Sequence, residues 1–112
     1  IELHHEKNYK DAWKCFKENA DLGNISAKYW QGYYLSNGYD GVVKKDKDKA
    51  MELLKEAADN GDPYGYKLDD AQFRYAELLL ESLKNNVDNE DIKREKRKKN
   101  FHYFKLAADN NN

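Results

Sequence analysis

Few side chains in this sequence have a type and spacing that could do chemistry. A lone Cys15 could serve as a nucleophile only beside a histidine in space. Its register instead puts it in an apolar helical stripe, where a thiol behaves as a small core residue. His4, His5 and Glu6 are adjacent. Consecutive helical residues point apart, so these three do not converge on one metal ion. His102 falls in a column with Lys14 and Glu52, an exposed face. Asp46 and Asp48 alternate, but no glycine or terminal glutamate follows at calcium-loop spacing, and helix capping is their expected role. Phosphate-binding glycine loops, His-Glu-x-x-His and Gly-x-Ser-x-Gly are all missing from the sequence. Gly61 and Gly65 imply only a turn. No catalytic residue, cofactor or metal site is therefore expected. Asn24-Ile25-Ser26 is a formal glycosylation sequon.

Other side chains are suited to binding. Lys93-Arg94-Glu95-Lys96-Arg97-Lys98-Lys99 could contact phosphates. On a helical wheel these residues circle the axis, and the acidic stretch Asp88-Asn89-Glu90-Asp91 adjoins them. Such a turn is expected to be solvated helix projecting past the core, so nucleic acid is not an expected partner. A sharper pattern is a ladder. Trp13 and Lys17, Met51 and Lys55, and Phe101 and Lys105 are each four residues apart, which stacks each pair on one helix face. An apolar column flanked by a basic column could receive a protein or peptide segment with apolar anchors and acidic neighbours. The competing reading packs Trp13, Met51 and Phe101 at the edge of the core. Trp30, beside Tyr33 and Tyr34, is read either as an exposed contact patch or as a cover for the junction to a preceding repeat. Tyr64 and Tyr66 carry the same two readings.

These columns exist because the sequence repeats itself. The segment from Ala12 to Gly23 lines up with that from Ala50 to Gly61, and again with that from Asn100 to Asn111, at offsets of 38 and 50 residues. Ala27-Lys28-Tyr29-Trp30-Gln31-Gly32-Tyr33-Tyr34-Leu35 likewise aligns with Ala71-Gln72-Phe73-Arg74-Tyr75-Ala76-Glu77-Leu78-Leu79. Insertions near 62–70 and 84–96 account for the longer second period. Each unit reads as a helix pair. Ala12, Cys15, Phe16, Asn19 and Ala20 form one stripe, repeated by Ala50, Leu53, Leu54, Ala57 and Ala58. Gly23 and Gly61 fall just past helix ends, where a left-handed residue is favoured. Gly38-Tyr39-Asp40-Gly41-Val42 forms the return loop, with Val42 as its apolar plug.

This pattern resembles the Sel-one-like repeats, relatives of the tetratricopeptide repeats. The matching pieces are Ala57-Ala58-Asp59-Asn60-Gly61, Ala71-Gln72-Phe73, Gly38-Tyr39-Asp40-Gly41-Val42 and Asp46-Lys47-Asp48-Lys49-Ala50. Ala76 stands where the family's second helix has glycine, and Asn100 and Asn111 replace the Ala and Gly of the third copy. The resemblance implies an all-α, right-handed solenoid of antiparallel helix pairs. Repeat one spans about 8–45, repeat two about 46–96, and the first helix of repeat three about 97–109. It also implies a non-enzymatic interaction module, acting as adaptor or scaffold in signalling, assembly or quality control. First helices line the concave face in related folds. The alternative is a regulatory or substrate-recruiting tail of a larger enzyme such as a protein kinase, with the solenoid's partner another domain of the same chain. Cys-rich relatives are linked to β-lactam hydrolysis, which one cysteine does not support.

Composition agrees. The 112 residues hold 20 basic and 21 acidic side chains, for a net charge of −1, so long-range attraction to polyanions is not dominant. Mean hydropathy is −1.16, yet an aromatic share of 13% is too high for disorder. No apolar run reaches the roughly 20 residues of a membrane span. The sequence opens without Met and is expected to be a piece of a longer array. So short an array should melt with low cooperativity, because solenoid units stabilise each other through neighbours. One cysteine and no disulfide lean towards the cytoplasm.

Overall fold

The computed structural model describes residues 2–60, 68–84 and 89–110. Gly61, Tyr64, Gly65 and Tyr66 lie outside the described residues. Those described form six helices: α1 (Glu2–His5), α2 (Tyr9–Asp21), α3 (Ile25–Asn37), α4 (Lys47–Asn60), α5 (Leu68–Ser82) and α6 (Glu90–Asn110). Each packs chiefly on the next in the chain, as in a helical-repeat solenoid. No strand occurs among the described residues, only an isolated bridge between Tyr39 and Val43.

Local chemistry sets each boundary. Gly23, with φ of +92°, ends α2 in the left-handed region, and its N–H donates to Ala20 O. Asn24 starts α3 at once, its Oδ1 accepting from Ala27 N at 2.8 Å. A helix cap thus accounts for the asparagine of the sequon. In the return loop Gly38 and Gly41 also have positive φ. Tyr39 and Val43 exchange two backbone hydrogen bonds. Val43, not Val42, is the residue packed against the core, because the bridge turns Val43 inward. Asp46 then does two jobs. Its N–H donates to Leu35 O at 2.9 Å, and its Oδ1 accepts from Lys49 N to cap α4.

The stripes bury as the repeat demands. Ala12, Phe16 and Ala20 are buried on α2, and Ala50, Leu53, Leu54, Ala57 and Ala58 on α4. Lying between α2 and α4, α3 buries residues nearly all round, including Tyr29, Trp30, Tyr34 and Leu35. A Cβ on Gly32 would sit 2.9 Å from Leu54 Cγ, so this position requires hydrogen.

Two expectations need correction. Cys15 is exposed, not a core residue. Its counterparts Leu53 and Tyr103 are buried against the second helix of the preceding unit, near Gly32 and Tyr75. Among the described residues, α2 is preceded only by the four-residue α1, where α4 is preceded by the full-length α3. The third first helix also begins at Glu90, not near 97. Asn89 caps it, accepting from Ile92 N, so much of the second insertion is helix.

Candidate interaction surface

The ladder residues lie on α2, α4 and α6, but their environments differ. Trp13 is half-buried, its ring stacked on Tyr34 at 6.1 Å with planes 12° apart. Met51 is likewise half-buried against the core. Phe101 is 71% exposed. One rung of the apolar column is therefore open, and two are largely packing. Lys17 and Lys105 are exposed. Lys55 is held by Asp59, at 2.8 Å.

Asp59 is a junction. Its carboxylate takes the Lys55 ammonium and a hydrogen bond from Tyr103 Oη of α6. Partial burial works to raise the Asp59 pKa, but the two donors win and hold it below the usual carboxylate value. The Lys55 ammonium is correspondingly pushed up by its hydrogen bond to Asp59. Burial, then the bond to Asp59, pushes the Tyr103 hydroxyl well above its ordinary value.

Trp30 is buried, which corrects its reading as an exposed contact patch. Phe16 stacks on it at 5.6 Å, and the His4 ring of α1 closes over it at 4.9 Å. His4 also shares a 2.8 Å hydrogen bond with Tyr34 Oη. Desolvation and the neighbouring His5 lower the His4 pKa. His4 is thus part of an aromatic cover, and among the described residues no group of His, Cys, Asp and Glu could hold a metal ion.

The basic run is helical and mostly exposed, with Lys93 and Lys96 half-buried. Arg94 pairs with Asp91 at 3.8 Å, Arg97 with Glu90 at 3.6 Å and Lys98 with Glu95 at 3.8 Å. Exposed pairs this long contribute little each. They do offset part of the charge a polyanion would meet.

Two features escaped the reading of the sequence. One is a brace between second helices: Tyr29 Oη of α3 donates to Asp70 of α5, while Arg74 pairs with Asp70 at 3.3 Å and lies 4.2 Å over the Tyr33 ring. The signal was the pairing of Trp30 with Arg74 in the alignment, an arginine where an aromatic neighbour awaits. The other is a groove of about 410 Å³ lined by Asp69, Asp70, Phe73, Phe104, Ala107 and Ala108. Its signal was an apolar stripe on α6 whose counterpart on α4 lies under a further helix.

Compared with known proteins, the chain matches the family model of the Sel1 repeat over residues 25–62 and 69–112. No curated protein and no solved structure matches it.

Proposed function

The chain belongs to the Sel1 repeat family, whose repeats are generally protein-interaction modules, and from that we propose a non-catalytic adaptor that holds a segment of a partner protein. The segment lies along the first helices, α2, α4 and α6. One observation carries this reading: Phe101 is 71% exposed on α6, with the exposed Lys105 one turn further on. A large apolar ring in water beside a free-standing cation suits a segment with an apolar anchor and an acidic neighbour. Lys17, with the edge of Trp13 one turn before it, extends the track. Lys55 and Met51 supply its middle, where Asp59 already occupies the ammonium, so the ends contribute most. Among the described residues no helix is long and apolar enough to cross a membrane. A single exposed thiol fits a reducing compartment, and we place the protein in the cytoplasm.

The test is a nuclease-treated pull-down at two salt concentrations, with the chain beside its Phe101→Ser/Lys105→Glu variant. Both positions are exposed, so the variant should melt as the parent does. A protein retained by the parent and lost by the variant is the expected result. An identical retained set would overturn the reading. Nucleic acid alone, removed by salt, would move the function to the basic run.

A further inference from the structure

Where the end of α5 meets the start of α4, a pocket of about 310 Å³ opens. Four cations line it, Lys45, Lys47, Arg74 and Lys84, together with Glu77 and Glu81. Backbone contacts place the lysines. Lys45 N lies 3.2 Å from where a Cβ on Gly38 would stand, and the N–H of the next residue, Asp46, donates to Leu35 O. Lys47 opens α4. Lys84 follows the last turn of α5, its N–H donating to Glu81 O at 3.1 Å. Their charges converge on one carboxylate. Lys47 Nζ is 2.8 Å from Glu81 Oε2. The hydrogen bond from Lys47, then the charges of Lys47, Lys45 and Lys84, hold the Glu81 carboxyl below its usual value. Lys45 and Lys84 form no ion pair among the described residues. The repeat does not demand these charges. One unit earlier, Tyr9 stands for Lys47, Trp30 for Arg74 and Asn37 for Glu81, all uncharged.

We propose that this pocket is an anion site for a phosphoryl group, carried by a free phosphoanion or by a phosphorylated side chain. Glu81 shows that the lysines gather on an anion, and it occupies only one of them at close range. Lys45 and Lys84 remain. A phosphoryl group with close to two negative charges matches both, where a carboxylate leaves one over. Ammonium groups are compact charges suited to phosphate oxygens. Arg74 is already held by Asp70 at 3.3 Å, so it adds to the local field without being the main contact. Glu77 and Glu81 oppose an added anion, and Glu81 competes with it for the same lysines. Binding is therefore modest, and Glu81 sets its strength. No ladder residue lines this pocket, so the site does not rest on the adaptor reading.

The probes are pyrophosphate and the peptide Ala-Leu-phosphoserine-Ala with its unphosphorylated twin, titrated into the full chain at about 0.15 M salt. Saturable binding is expected, weakened about fivefold or more by Lys45→Ala/Lys84→Ala. Glu81→Gln should strengthen it about twofold or more by freeing Lys47. All three side chains are exposed, so the variants keep the fold. Lys10→Ala/Lys14→Ala removes the same charge from α2 and should leave binding unchanged. An equal loss in that control would reduce the effect to bulk charge and overturn the proposal. Binding that survives without Lys45 and Lys84 would move it to the basic run and overturn it too. So would binding of the unphosphorylated twin as tight as that of the phosphopeptide, or no binding of either phosphorylated probe. The exposed Leu80 on the rim can receive the peptide's leucine. A phosphopeptide held more tightly than pyrophosphate therefore marks a phosphorylated partner as the source, and the reverse order marks a free phosphoanion.

Discussion

Tyr103 of α6 donates its hydroxyl hydrogen to the Asp59 carboxylate of α4, linking the first helices of two successive units. The same carboxylate holds Lys55 one turn earlier on α4. A first helix otherwise meets its predecessor through the second helix between them, here by Tyr75 against Tyr103 at 4.8 Å. The pair is thus a direct tie across the repeat.

Removing the tie should loosen α6. Tyr103→Phe keeps the ring against Tyr75 and deletes the donor, so a loss of about 1 kcal/mol is expected from urea unfolding. The Asp59 pKa is lowered in the fold, so its contribution is present above the ordinary carboxylate value and lost as pH falls through the lower folded value. Tyr103→Phe should therefore narrow the gap between stability at neutral and at acid pH. An unchanged gap would show that Lys55 alone sets the Asp59 titration.

Gly32→Ala tests the closest helix approach. Alanine favours a helix over glycine by about 1 kcal/mol, yet the new Cβ would stand 2.9 Å from Leu54 Cγ. Leu54 is fully buried and has no free volume to enter. The clash should win, giving a net loss of about 1 to 2 kcal/mol. In a Leu54→Ala background the same change should cost less or stabilise. Additive losses in the double variant would refute the contact.

His4 should make the N-terminal cover sensitive to acid. Its pKa is lowered in the fold by burial and by His5, so the unfolded chain takes up a proton first. Stability is then present above the ordinary histidine value of about 6.5 and falls as pH drops below it, until the folded value is reached. Burial is what opposes the charge, and the ring is buried where it stands against Trp30 and Tyr34. His4→Phe should flatten stability over that window while keeping an aromatic lid. Equal slopes for parent and variant would assign the dependence elsewhere.

Most of the fold was legible because repetition supplies two or three readings of each position. Leu53, Leu54, Ala57 and Ala58 show the stripe on α4 in full, and the weaker stripe on α2 inherits it by register. The same inheritance misplaced Cys15. Burial depends on the neighbour a position faces, and among the described residues α2 follows the four-residue α1 where α4 follows the full-length α3. The exposed reading of Trp30 failed for the converse reason: its counterpart Arg74 is polar, but His4 and Phe16 close over the indole. For the ladder, spacing gave the shared face, while the depth of each rung was set by packing that spacing does not encode. Tyr34 beneath Trp13 and Asp59 beside Lys55 are of that kind.

Cys15 offers a direct check on this account of α2. Its side chain is exposed, and Asn19 Nδ2 lies 2.8 Å from Cys15 O and 3.4 Å from its Sγ. That amide is a weak partner for sulfur and leaves the thiol open to solvent. A maleimide should label the folded chain nearly as fast as the urea-unfolded one. Were Cys15 in the core as Leu53 is, labelling would wait on unfolding and slow by orders of magnitude. Full protection in the folded chain would mean that further structure covers this face of α2. Asn19→Ala should speed labelling slightly and leave the fold intact, because the Asn19 side chain bonds to Cys15 one turn earlier on the same helix.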